Sequence, residues 1–162
     1  MEDFLLRRWR TFAWRAAGGA LAILAMHFLA GASHMPVALV PFATSIVLVL
    51  GSPNAGPAQP RAIVGGHLLS SLVGLAVSLL AGSSPWAAAL AVGLAMVLMF
   101  STRTMHPPAG IDPLIVVNDS LTWTFLFIPV LAGTVLLVCF AFIWHNAPVF
   151  RSHRRRWPEQ WW

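Results

Sequence analysis

Four stretches of this sequence, Phe12 to Gly31, Ala62 to Ala81, Pro85 to Ser101 and Leu121 to Trp144, are apolar for nearly the length a helix needs to cross a bilayer. A hydrocarbon core about 30 Å thick asks for roughly 20 helical residues at about 1.5 Å each. Composition agrees, with 58% of the 162 residues hydrophobic, 9% charged and a mean hydropathy of +0.76. A water-soluble domain of this size leaves too much area in water to hide so much apolar surface, so lipid is the solvent for most of the chain. The same numbers exclude disorder, which requires low hydrophobicity and high charge.

The net charge of +5 comes from arginine alone, since lysine is absent. Arg7, Arg8, Arg10 and Arg15 stand at the start of the first apolar run, and Arg151, Arg154, Arg155 and Arg156 follow the last. Because the clusters abut hydrophobic segments, they point to a membrane rather than to nucleic acid. Both clusters prefer the cytoplasmic face, which requires an even number of crossings. Two shorter apolar stretches, Val37 to Leu50 and Ala109 to Val117, complicate the count, and the second cannot span as a straight helix. Four full helices with two re-entrant segments satisfy the parity, as do six crossings in which the short segments pass as broken helices.

Tryptophan marks the limits of the spans. Trp14, Trp86, Trp123 and Trp144 lie near segment ends, while Trp9, Trp157, Trp161 and Trp162 lie outside, where indoles rest on the surface. The order of arginines, apolar run and Ala30-Gly31-Ala32 resembles a signal peptide, but its removal would leave a chain just as hydrophobic. A single cysteine, Cys139, rules out an intrachain disulfide and any multi-cysteine metal site, and reads as a small lipid-buried side chain.

Laid side by side, the halves share an order. The first helix ends at Gly31, and His34-Met35-Pro36 leads into a short run and then a full helix; the fourth stretch ends at Ser101, and His106-Pro107-Pro108 does the same. If the short segments cross, the two copies are inverted in the membrane; if they re-enter, the copies are parallel. Short or proline-interrupted segments at matching positions of two halves point to a substrate site in transporters.

Two polar constellations accompany these segments. Ser52 to Arg61 runs into Gly65-Gly66-His67 and Ser70-Ser71. Pro60 suits a first helical turn, so Arg61 and the free amides beside it make either an anion site or a surface loop whose arginine reaches lipid phosphate. His67, about two turns into that helix, is either a functional group facing a cavity or a structural histidine bonded to a neighbouring helix. Gly65, Gly66 and Gly74 are read as allowing close helix packing. The second constellation is Ser101 to Gly110, containing Arg103, Thr104 and His106-Pro107-Pro108, followed by Asp112. Two prolines after a histidine stop the helix, leaving carbonyls free near His106 and Arg103. Asp112 is expected to pair with Arg103 or Arg61, and His27 and His34 to add to a proton-coupled path. A Ser/His/Asp hydrolase can be written from Ser70, His67 and Asp112, but no nucleophile elbow or zinc-protease motif is present, so an enzyme is not expected.

Gly51-Ser52-Pro53, Ala58-Gln59-Pro60-Arg61, Gly65-Gly66-His67-Leu68 and Thr102-Arg103-Thr104-Met105-His106-Pro107-Pro108-Ala109-Gly110 closely resemble the HPP family of integral membrane proteins, named for its His-Pro-Pro motif. The likeness runs from about Arg15 to Trp144. It implies four membrane-spanning helices and, because cyanobacterial and chloroplast members are associated with nitrite, transport of a small anion with nitrite the leading candidate. The matched positions implied for substrate binding are Gln59, Arg61, His67, Arg103, Thr104 and His106, with Pro60, Gly65, Gly66, Pro107, Pro108 and Gly110 as the structural motif. The loop Asn54 to Pro57, Ala62 and Ile111-Asp112-Pro113 depart from the family pattern, and an acidic residue beside an anion path lowers anion affinity unless neutralised.

The expectation is therefore an all-α, polytopic membrane bundle of four full transmembrane helices plus two short broken or re-entrant segments, with a two-fold internal repeat. Residues 1–162 form one domain with a core at 12–145 and basic cytoplasmic tails at 1–11 and 146–162, in the inner (plasma) membrane of a bacterium. Its expected partners are a small anion, the lipid bilayer and further copies of itself, with no nucleic acid, metal or cofactor. The alternative is a scaffold or subunit of a larger complex that transports nothing.

Overall fold

Proline and serine set the helix starts. Pro60 and Pro85 each occupy the first turn of a helix, where the missing N–H removes an orphan donor rather than a ladder bond. The Ser84 hydroxyl accepts from the Ala87 N–H at 3.1 Å and caps the second of these helices. The computed structural model describes residues 2–33, 39–147 and 156–161, so His34, Pro36 and Arg151, Arg154 and Arg155 lie outside the described residues. Every regular element among those described is helical: α1 Glu2–Ser33, α2 Leu39–Gly51, α3 Pro60–Ala81, α4 Pro85–Ser101, α5 Asp112–Asn118 and α6 Trp123–His145, with 3₁₀ turns at Gly56–Ala58 and Pro107–Ile111.

The chain reverses direction at each connection. α2 returns along α1 until Arg15 reaches the Gly51 carbonyl at 2.7 Å. α4 returns along α3 until Arg61 reaches the Thr102 carbonyl at 2.6 Å. α5 then runs alongside α3, its Asp112 beside His67 and its Pro113 against Gly74. Finally α6 runs back until His145 meets the Val49 carbonyl at 3.1 Å, level with the start of the α1 span. Each half is thus a long helix, a short segment and a long helix, and the two halves run in opposite directions. α1 and α6 thereby bring both ends of the described bundle to one face.

α2 has 13 residues and α5 seven, about 20 Å and 10 Å of rise, both short of a hydrocarbon core. A helix end leaves its last carbonyls without intrahelical partners. Arg15 and His145 take the last carbonyls of α2, and cations at a helix C-terminus also complement its dipole. In α6, Pro129 has no N–H to give, and residues Leu126–Ala132 widen into a π turn around it.

Three apolar clusters hold the bundle. Met26, Phe42, Ile46 and Leu137 join α1, α2 and α6; Val73, Val77, Ala88 and Ala91 join α3 to α4; Leu75, Val116, Phe125 and Val130 join α3, α5 and α6. Outside them stands a belt of large apolar side chains, including Leu80 at 86% exposure and Trp86 at 85%, which only lipid would favour. Cys139 is exposed in the same way. One tryptophan departs from expectation: Trp157 is buried in the first cluster rather than on the surface, because Asn146 donates to its carbonyl at 2.6 Å and folds the tail back.

Candidate functional site

Interrupting α4 creates the site. Thr102 ends the helix, and Arg103 adopts φ 57°, the left-handed region that usually requires glycine. The Thr104 N–H then bonds to the Met99 carbonyl at 2.9 Å and the Arg103 N–H to the Phe100 carbonyl at 3.2 Å, the pair of bonds of a Schellman cap. The expectation that His-Pro-Pro itself stops the helix and leaves carbonyls free is corrected. The stop comes earlier, at the left-handed Arg103, and these carbonyls are paired, that of Thr102 by Arg61. Pro107 has a different effect: it confines the preceding residue to extended backbone, and His106 at φ −132°, ψ 95° turns its imidazole into the bundle.

Two glycines let this segment lie on α3. A Cβ on Gly65 would stand 2.6 Å from the Thr104 methyl, and one on Gly66 would stand 2.7 Å from the His106 Cβ and 2.9 Å from the Thr104 carbonyl oxygen. Close packing, as read from the sequence, is what these positions serve. Gly110 is different, since a Cβ there would meet nothing within 4 Å.

At the centre, Ser45, His67, His106 and Asp112 are all fully buried. The Ser45 hydroxyl on α2 lies 2.9 Å from His67 Nε2 and 2.9 Å from His106 Nε2. His67 Nδ1 is 2.7 Å from Asp112 Oδ2, and Ser70 and Ser71 donate to the same oxygen at 3.1 and 3.3 Å. His106 Nδ1 lies 2.6 Å from the Pro57 carbonyl, an acceptor only, so Nδ1 carries the hydrogen. The Phe42 ring covers His67 at a centroid distance of 5.0 Å. Asp112 Oδ1 has no hydrogen-bond partner among the described residues.

The structure brings His67 and His106 together with Asp112 but sets the other expected residues around them. Arg61 is half-buried on the Thr102 carbonyl, and Arg103 is exposed at the same end of the bundle. Asp112 therefore pairs with His67 rather than with an arginine, because α5 carries it inward along α3 while both guanidiniums remain at the N-terminal end of α3. Gln59 is buried and wholly engaged: its amide donates to the Pro53 and Ala55 carbonyls, and its oxygen accepts from the N–H groups of Glu159 and Gln160. Thr104 is buried beside Thr102, with 2.8 Å between hydroxyls. Pro60 starts α3, and Pro107 and Pro108 start the 3₁₀ turn that Gly110 completes. His27 is exposed on α1, apart from the cluster.

Ser45 is the residue sequence reasoning missed, and with it a Ser45–His67–Asp112 order that reproduces the connectivity of a hydrolase triad. Here the hydroxyl is enclosed, with a second imidazole on its other side and the Pro41 carbonyl at 3.0 Å.

Alternating helices, an apolar outer belt and a polar centre framed by interrupted segments define a polytopic integral membrane protein. The chain belongs to the HPP family: the model described as HPP, transmembrane region, matches residues 6–158. Two transmembrane proteins of Dictyostelium discoideum are each 33% identical to it, over 92% and 89% of this chain. The chain spans about half the length of these relatives, 54% of one and 48% of the other. No solved structure gives a significant match.

Proposed function

We propose that this protein carries a small inorganic anion across the membrane, with nitrite the leading candidate, and acts as a transporter rather than an enzyme. The observation that carries the reading is Arg103. A left-handed arginine costs about 1–2 kcal/mol that a glycine would avoid. Such strain persists where the side chain is needed, and here it holds a guanidinium exposed at the N-terminal end of α3. Beside it Arg61 adds charge, and beneath lie hydroxyls and imidazoles able to replace an anion's water. We place both termini in the cytoplasm of a bacterial cell, where the terminal arginines belong. A homo-oligomer is part of the proposal, since so small a bundle has little room for a pore of its own.

A scaffold role has its own support: Gln59 and Arg61 are committed to backbone carbonyls inside the chain. Arg103→Gly separates the two readings in proteoliposomes. Relief of strain should leave the protein as stable or more so, by about 1 kcal/mol, while nitrite uptake above protein-free vesicles falls about tenfold, the factor for 1.4 kcal/mol. Uptake equal to that of the parent refutes the role of Arg103. If Arg61→Ala abolishes assembly and the parent shows no uptake, the scaffold reading stands instead.

A further inference from the structure

Counting protons in the buried cluster exposes a mismatch. Ser45 has one hydroxyl hydrogen, and three acceptors surround its oxygen: His67 Nε2, His106 Nε2 and the Pro41 carbonyl. The carbonyl has a helical partner in the Ser45 N–H, so the contest is between the two imidazoles. His106 has its hydrogen on Nδ1, held by the Pro57 carbonyl. His67 Nδ1 faces an oxygen that already accepts from two serines, so its Nδ1 donates as well. Both Nε2 atoms are then bare, and one 2.9 Å contact is lone pair against lone pair. One added proton resolves it. With His106 Nε2 protonated, that N–H donates to Ser45 and the Ser45 hydroxyl donates to His67; with His67 Nε2 protonated, the order is reversed.

The two placements interconvert by a relay. His106 Nε2 gives its proton to Ser45 Oγ, and Ser45 Oγ gives its own to His67 Nε2, so one proton advances and the total is unchanged. The His67 Nδ1 hydrogen can then pass to Asp112, converting the carboxylate to a carboxylic acid and leaving His67 with a hydrogen on Nε2. At that end stands Asp112 Oδ1, fully buried and without a partner among the described residues. His67 Nδ1 faces Oδ2, so the hydrogen arrives there, and a half-turn of the carboxyl group would carry it to the unpartnered position.

We propose that His106, Ser45, His67 and Asp112 form a buried proton relay, and that a proton shared on it accompanies the transported anion. This rests on the transport reading above and adds the coupling ion to it. No other titratable side chain among the described residues faces the relay: Arg61 and Arg103 stay at the N-terminal end of α3, Arg15 and His145 cap the end of α2, and His27 is exposed on α1.

The test uses the full chain in proteoliposomes holding a luminal pH dye, with nitrite measured chemically and protein-free vesicles subtracted. The parent should bring in a proton with each nitrite. Ser45→Ala should cut the proton flux at least about tenfold, and Ser45→Thr, which restores the hydroxyl, should recover it. Nitrite entry into parent vesicles without acidification overturns the relay and leaves the transport reading standing, as does Ser45→Ala acidifying like the parent. Absence of nitrite flux in the parent sinks the transport reading instead. The relay is then judged by proton entry driven by a potassium diffusion potential without nitrite: dependence on Ser45 supports it, and equal entry in parent and variant overturns it. Should Ser45→Ala fail to fold, His106→Gln takes its place, since an amide keeps a hydrogen bond but passes no proton.

Discussion

Replacing Gly66 with alanine should loosen the whole centre. The added carbon would lie 2.7 Å from the His106 Cβ and 2.9 Å from the Thr104 carbonyl oxygen, against the roughly 3.5–4.0 Å of an ordinary carbon contact. Relief requires a movement of about 1 Å between α3 and the 104–106 segment. Neither side can yield by a rotamer change, because one contact is backbone and the other is the first side-chain carbon of a residue held by proline. A shift of that size would stretch the 2.6 Å bond from His106 to Pro57 and the 2.9 Å bond to Ser45 past useful length. Overpacking costs about 1–3 kcal/mol, and two weakened hydrogen bonds about 0.5–1.5 kcal/mol each. Alanine returns about 1 kcal/mol through helix propensity, so the net loss should be about 1–5 kcal/mol. Gly110→Ala is the matched control. Its Cβ would meet nothing and its backbone is not left-handed, so it should be neutral or stabilising by up to about 1 kcal/mol. Unfolding by sodium dodecyl sulfate in mixed micelles, followed by tryptophan fluorescence, measures both. Equal stability of Gly66→Ala and the parent would refute the packing argument, and so would a large loss in Gly110→Ala.

Two further outcomes concern the same cluster. Asp112→Asn can keep its oxygen under the three donors but puts an NH₂ where Oδ1 had no partner, and should destabilise by about 1–3 kcal/mol; Asp112→Leu orphans His67 Nδ1 and Ser71, leaving Ser70 its bond to the His67 carbonyl, and should cost more, so the reverse order in the same unfolding assay would contradict the hydrogen-bond assignment. Ser45, enclosed by two imidazoles, should resist a fluorophosphonate probe in the folded protein, and mass-spectrometric detection of phosphonylated Ser45 would favour a hydrolase over the transport reading.

Helices written as long apolar runs were legible because lipid leaves the backbone few options, and proline fixed the starts of α3 and α4. The centre was less so, for reasons particular to each residue. Ser45 is a single hydroxyl in an apolar run, and a serine there commonly satisfies itself on the carbonyl four residues back, as this one also does with Pro41. Attraction of opposite charges points Asp112 toward an arginine, yet helix direction decides for His67. The prolines are the visible stop signal after α4, since nothing in the sequence marks a left-handed arginine, a conformation that glycine normally signals.

What sequence could pose but not resolve was whether the short segments cross. The last carbonyls of a helix have no intrahelical partners, and they must find others. The solutions come largely from the opposite half. His145 of the second half takes the Val49 carbonyl of the first, and Arg61 of the first half takes the Thr102 carbonyl of the second. The relay obeys the same rule, with Ser45 and His67 from one half and His106 and Asp112 from the other. Each half therefore completes the other's interrupted helices and supplies two members of its polar centre. A sliding of one half against the other would break the contacts from Ser45 to His106 and from His67 to Asp112 together.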